Sequence, residues 1–150
     1  MERTLILIKP DGVCKGLIGE VIKRFEKEGF KIIGLKMIYF SEEKAREFCS
    51  VHQGKYFFPG LIEFMTTAPS VALIVEGERV IKRAREIMGE RKPEDALPGT
   101  LRKEFASDGR RNIIHGSDSR SSACKEIECL FNPREIFSYE KEDWLRSQPG

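Results

Sequence analysis

Residues 4–40 read TLILIKPDGVCKGLIGEVIKRFEKEGFKIIGLKMIYF, and the change of pattern along them decides the fold. Leu5-Ile6-Leu7-Ile8 is a continuous apolar run stopped by Lys9-Pro10-Asp11-Gly12, as expected of a central strand followed by a turn. Ile18, Val21, Ile22 and Phe25 then recur at helical spacing, Glu20 and Arg24 stand four apart, and Gly29 is placed to end the helix. From Ile32 to Phe40 the run is apolar and rich in β-branched residues, with Lys36 its one charged interruption, which predicts a second strand.

Outward from this strand–helix–strand unit, Ser41-Glu42-Glu43 supplies an N-cap and an acidic first turn for a helix bearing Ala45, Phe48 and Cys49. Residues 57–65 predict a short helical insert. Ser70 to Val75 predicts a buried strand, and residues 78–88 a helix with Val80, Ile81, Ala84, Ile87 and Met88 inward, ended by Gly89. Gly89 to Asn112 shows neither period and predicts a long loop, a feature that is usually functional or disordered in a compact domain. Asn112 to His115 predicts a short strand, and Ser119 can cap a last helix with Ala123, Ile127, Leu130 and Phe131 on one face. The order contains βαββαβ, so the expected fold is α+β: a ferredoxin-like sandwich with a four-stranded antiparallel sheet and helices on one sheet face, plus the helical insert and long loop. A doubly wound parallel sheet competes, but its Gly-rich phosphate turns, GxGxxG or GxxxxGK[ST], are absent.

The chain has 150 residues, which suits a single domain over 1–150, and no repeat or linker divides it. Its 26 Lys and Arg against 24 Asp and Glu argue against nonspecific attraction to nucleic acid or membrane. Cys14, Cys49, Cys124 and Cys129 form no CxxC pair and suggest neither a zinc site nor a disulfide framework, so reduced thiols in a cytoplasm fit best. The N-terminal apolar run is too short for a signal segment, and no run of about 18 apolar residues occurs.

Chemistry is most concentrated at Arg111-Asn112-Ile113-Ile114-His115-Gly116-Ser117-Asp118-Ser119, where a histidine leaves a buried strand before a helix. His115 there can be nucleophile, general base or ligand, or simply a hydrogen-bonded strand-end histidine. Glu126, two turns along the helix from Ser119, is on the side that can return to Ser117 and His115 and orient the ring; a surface carboxylate is the alternative. Between Gly77 and Asn112, ten Lys or Arg outnumber seven acids. Arginines near a histidine suit phosphoryl transfer, although most of these charges fit a solvated helix face. Lys9 can point into a site or be an edge lysine, Phe57-Phe58 can be core or a stacking platform, and His52 is expected at the surface.

The segment NIIHGSDS at 112–119, with TLILIKPDGV at 4–13 and PGTLR at 98–102, closely resembles the nucleoside diphosphate kinase family. Phe57-Phe58-Pro59-Gly60-Leu61, Gly89-Glu90, Ala123-x-Lys125-Glu126-Ile127 and Trp144 fall in step with it, so the resemblance spans nearly the whole chain. It implies a homo-oligomer, tetramer or hexamer, that moves the terminal phosphate of a nucleoside triphosphate to a nucleoside diphosphate by a ping-pong route. By residue matching, His115 would be phosphorylated and Glu126 and Ser117 would support it, while Mg2+ would arrive on the nucleotide with no protein metal cage. Lys9 and Asn112 would contact ribose and phosphates, Arg85 and Arg102 the phosphates, and Phe57 and Leu61 the base. Stacking without contacts to base edges implies broad nucleotide acceptance.

Three departures from the family pattern stand out. Cys49 replaces a usual tyrosine, Arg91 stands where a phosphate-contacting threonine is common and is counted with the nucleotide-binding residues, and Asp108-Gly109-Arg110-Arg111 lacks the usual apolar residue and glycine before the arginine. A nucleotide-binding regulatory module without turnover is the alternative on the same fold. An RNA-binding domain would carry an RNP-type strand, which is absent.

Overall fold

A computed structural model describes residues 1–150. Strand β1 (Glu2–Ile8) leads into two helices, α1 (Pro10–Cys14) and α2 (Ile18–Lys27), then strand β2 (Lys31–Ile38). Helices α3 (Glu42–Phe48) and α4 (Phe58–Met65) form the insert before β3 (Ser70–Gly77) and α5 (Val80–Met88). A five-residue helix, α6 (Leu101–Phe105), precedes β4 (Ile114–Gly116) and α7 (Arg120–Leu130). The four strands lie in the order β2-β3-β1-β4 and every pairing is antiparallel. This is the ferredoxin-like arrangement, and the parallel alternative is excluded.

Two expectations about local chain conformation need correction. Residues 9–12 do not form a plain turn: Pro10 occupies the first turn of α1, where its missing N–H costs nothing and its φ already suits a helix. The long segment 89–112 also contains α6, whose N-cap Thr100 accepts from the Lys103 N–H. With Leu101 the one apolar side chain it fully buries, α6 is too short to display a period.

The sheet is covered on both faces rather than one. Ile6 and Ile8 pack with Val21 and Phe25 of α2 and Val80, Ala84 and Met88 of α5. Leu5 and Leu7 point the other way, into a second core with Ala45, Ile62, Met65 and Leu130 from α3, α4 and α7. A strand whose side chains alternate between two dry cores must be apolar at every position, and Leu5 to Ile8 are all 0% exposed. Each such side chain contributes about 1.5–3 kcal/mol of burial. Caps follow the sequence: Ser41 accepts from the Lys44 N–H and Ser119 from the Ser122 N–H. Past α7 the chain turns back along β2, where the Phe137 N–H donates to the Ile33 carbonyl.

One backbone strain lies close to β4. Ile113 has φ +65°, unusual for a β-branched residue and worth about 1–3 kcal/mol of strain. Its N–H donates to Asp11 Oδ2 at 3.0 Å and its carbonyl accepts from the Lys9 N–H at 2.8 Å, so both peptide groups are held by the start of α1. Asp11→Ala leaves the buried Ile113 N–H without an acceptor. It is expected to lower unfolding free energy by about 1–3 kcal/mol, read as a fall in the urea midpoint at unchanged m-value.

Candidate active site

His115 is placed by sheet register. It faces Leu7 across the β4–β1 ladder, while Lys9 continues β1 at the same end and bonds the residue before β4. Two residues remote in sequence thus share one rim of the sheet. Ser117, just past β4, is held by β1 as well: its N–H donates to the Leu5 carbonyl and its Oγ accepts from the Leu5 N–H at 3.3 Å.

Glu126 on α7 reaches back as its spacing from Ser119 predicts. Its Oε1 lies 2.9 Å from His115 Nε2 and accepts from Ser117 Oγ at 2.7 Å. A carboxylate only accepts, so Nε2 carries the ring hydrogen and Nδ1 keeps its lone pair. Nδ1 has no protein partner. Phe48 closes one side of the ring edge-on, with centroids 5.3 Å apart, and the His115 side chain remains 35% accessible. The imidazole is therefore oriented on its inner nitrogen and open on the other.

Lys9 is buried, donating to Asn112 Oδ1 at 2.6 Å and to the Arg110 carbonyl at 2.7 Å. Burial pushes its ammonium down to about 8, against the opposing pull of Asp11. Asn112 Nδ2 donates to the carbonyls of Arg91 and Gly109, so one buried amide ties the two ends of the long segment together. Arg102, also buried, donates to the carbonyls of Gly89 and Ile114 and leaves Nε without a partner. Burial lowers its guanidinium to about 10, and Arg85 and Arg91 add repulsion, so three arginines share one field. Arg85 is exposed and reaches the Gly116 carbonyl at 3.3 Å. Arg102 and Arg85 thus flank His115 through the carbonyls on either side of it.

Phe57 and Leu61 are half-buried in and just before the first turn of α4, joined by the Leu61 N–H to Phe57 carbonyl bond, while Phe58 is core. His52, expected at the surface, is instead half-buried with its ring 5.3 Å from that of Phe57. Burial first, then Lys55 and His115, hold its imidazole below the ordinary histidine range. Arg91 is exposed and donates to the Gly109 carbonyl. Cys49 is buried, and desolvation pushes its thiol up to about 11, so it offers no thiolate to compete with His115. An open cleft of about 1150 Å3 between α2, α5 and residues 97–100 touches Arg85 and Arg91 but not His115, and charges of both signs line it.

With this geometry in hand, comparisons with known proteins are direct. The family model described as nucleoside diphosphate kinase matches residues 2–136. A nucleoside diphosphate kinase of Carboxydothermus hydrogenoformans is 51% identical over 147 residues, covering 97% of this chain and 99% of the relative. The crystal structure of the Aquifex aeolicus nucleoside diphosphate kinase superposes with a TM-score of 0.89 at 47% identity, covering 91% of this chain and 99% of that one. A halophilic nucleoside diphosphate kinase from Halobacterium salinarum, solved in complex with CDP, gives a TM-score of 0.91 at 37% identity, with 96% of each chain covered. None of these favours the alternative of a binding module without turnover. The fold, the near-complete coverage and the level of identity together make this chain a member of the nucleoside diphosphate kinase family.

Proposed function

We propose that residues 1–150 act as one unit that moves the terminal phosphate of a nucleoside triphosphate to a nucleoside diphosphate through a phosphohistidine at His115. The observation that carries this reading is the histidine held at Nε2 by Glu126 with Nδ1 unpartnered. The Nδ1 lone pair attacks the terminal phosphorus, the bond from that phosphorus to the bridging oxygen breaks, and the electron pair leaves on the nucleoside diphosphate. Glu126 stabilises the positive charge that the ring gains, and Ser117 holds the carboxylate in place. A second nucleoside diphosphate then attacks the phosphohistidine through a terminal phosphate oxygen, and the P–N bond breaks back to Nδ1.

Lys9, Asn112, Arg85, Arg91 and Arg102 are the groups that hold phosphates and ribose in this reading, and Phe57 and Leu61 receive the base. The unpartnered Arg102 Nε is a buried donor that an anion would satisfy. Mg2+ carried on the nucleotide phosphates belongs to the same reading. There it would neutralise oxygen charge during transfer. Four free cysteines accord with a cytoplasmic setting, and no helix is long and apolar enough to cross a membrane.

A homo-oligomer, tetramer or hexamer, belongs to the same reading. β2 lies at the sheet edge, and Leu35 and Met37 on it and Tyr39 just past its end are 56%, 58% and 64% exposed. An apolar stripe on an edge strand is costly to leave in water.

Mixing the protein with ATP, GDP and Mg2+ is expected to yield GTP. His115→Ala should lose this on the order of 10³-fold or more, and Glu126→Gln about 10²-fold in kcat with KM little changed; undiminished GTP formation by His115→Ala contradicts the reading. Lys9 gives a pH signature. Its ammonium binds phosphate only when protonated, so nucleotide affinity is full below about pH 8 and falls as pH rises through that value. KM measured from pH 6.5 to 9.5 should rise on the alkaline side, and Lys9→Met should remove the inflection. By light scattering, wild type should exceed monomer mass and the Leu35→Glu, Met37→Lys double variant should fall toward it; a monomeric wild type contradicts the edge as an interface.

A further inference from the structure

Asp108 to Arg111 is a stretch whose backbone is fixed on every side. Asp108 Oδ1 accepts from the N–H groups of Arg110 and Arg111, and Oδ2 pairs with the Arg111 guanidinium at 2.6 Å. The Arg110 carbonyl is held by Lys9 and the Gly109 carbonyl by Asn112 and Arg91. The Arg110 side chain is thereby aimed away from this turn and across to the insert. It forms no ion pair with any carboxylate, unlike its neighbour Arg111.

Its guanidinium comes to rest on Gly60. A Cβ at that glycine would stand 2.6 Å from Arg110 Nη1, 3.1 Å from Cζ and 3.1 Å from Nη2, so the whole end of the guanidinium occupies the space that a side chain would fill. Gly60 is in the first turn of α4, three residues after Phe57 and next to Leu61. Residues three apart share a helix side, so Arg110 rests on the side of α4 that Gly60 shares with Phe57, with Leu61 one residue further on. A planar cation without a counter-ion, its backbone held and its tip on the helix turn that follows Phe57, is suited to an aromatic heterocycle.

We propose that Arg110 is a base-contacting residue, its guanidinium stacking on the nucleotide base opposite the Phe57–Leu61 face and bridging the long loop to α4 across the mouth of the site. This rests on the reading of Phe57 and Leu61 as base contacts. Arg110 here sets affinity and base preference, not the chemical step. A stacked guanidinium gains more from a larger ring, so purines benefit more than pyrimidines.

The test compares wild type, Arg110→Ala, Arg110→Lys and Gly60→Ala. The Gly60 variant is informative because the atoms its methyl would displace are the far end of a flexible side chain, so the fold is retained while the guanidinium is pushed off. Binding of ADP, CDP and ribose 5-diphosphate by calorimetry, with steady-state KM and kcat for ATP, gives the readout. Expected for Arg110→Ala and Gly60→Ala alike is a several-fold loss for ADP, a smaller loss for CDP, none for ribose 5-diphosphate, and a raised KM at unchanged kcat. Arg110→Lys should not restore ADP affinity, since it keeps the charge but not the plane. An equal loss for ribose 5-diphosphate would place Arg110 on the phosphates and overturn the proposal, as would unchanged ADP affinity in Arg110→Ala. Failure of the underlying reading is distinguishable, because Phe57→Ala would then leave ADP affinity unchanged while wild type still makes GTP from ATP and GDP.

Discussion

The antiparallel pairing of β4 with β1 is the constraint on which the rest of the site depends. It sets His115 opposite Leu7, brings Lys9 to the same rim, and hands Ser117 to the backbone of Leu5. Only with Ser117 anchored does Glu126 find its two donors at once. β1 can play this part because it is apolar at every central position and buried between two cores. The strand that positions His115 and Glu126 is thus packed on both sides, which keeps the two residues at fixed geometry.

Two of the cations near His115 are not loose surface charges. Lys9 and Arg102 are buried and spend their donors on carbonyls and one amide, which holds the chain around His115 in place while leaving the charge uncompensated. That combination is costly, because buried charge without a counter-ion is disfavoured, and burial pushes Lys9 down to about 8 and Arg102 down to about 10. Strain at Ile113 belongs to the same economy: the unfavourable φ persists because Asp11 and Lys9 grip the peptide from both sides.

Much of this was legible in the residues. The unbroken run Leu5 to Ile8 announced a strand buried on both sides, although the expectation of helices on one face did not follow that run to its consequence. Ser119 and Glu126 stood at a helical spacing that returned the carboxylate to His115. Other features depend on contacts that no local pattern encodes. Residues 10–12 begin a helix whose Asp11 has a distant partner in Ile113, α6 is only five residues long, and His52 packs its ring against Phe57. The seat of Arg110 on Gly60 joins two segments whose only local sign is a missing side chain.

The central claim is that Glu126 fixes the His115 tautomer so that Nδ1 carries the phosphate. Its most direct test is to phosphorylate the protein with γ-labelled ATP, isolate the acid-labile, base-stable label, and identify the substituted nitrogen by phosphorus–nitrogen coupling in 15N-histidine protein. The account predicts phosphate on Nδ1 of His115, discharged by added nucleoside diphosphate. Phosphate on Nε2, or on any other residue, would contradict it.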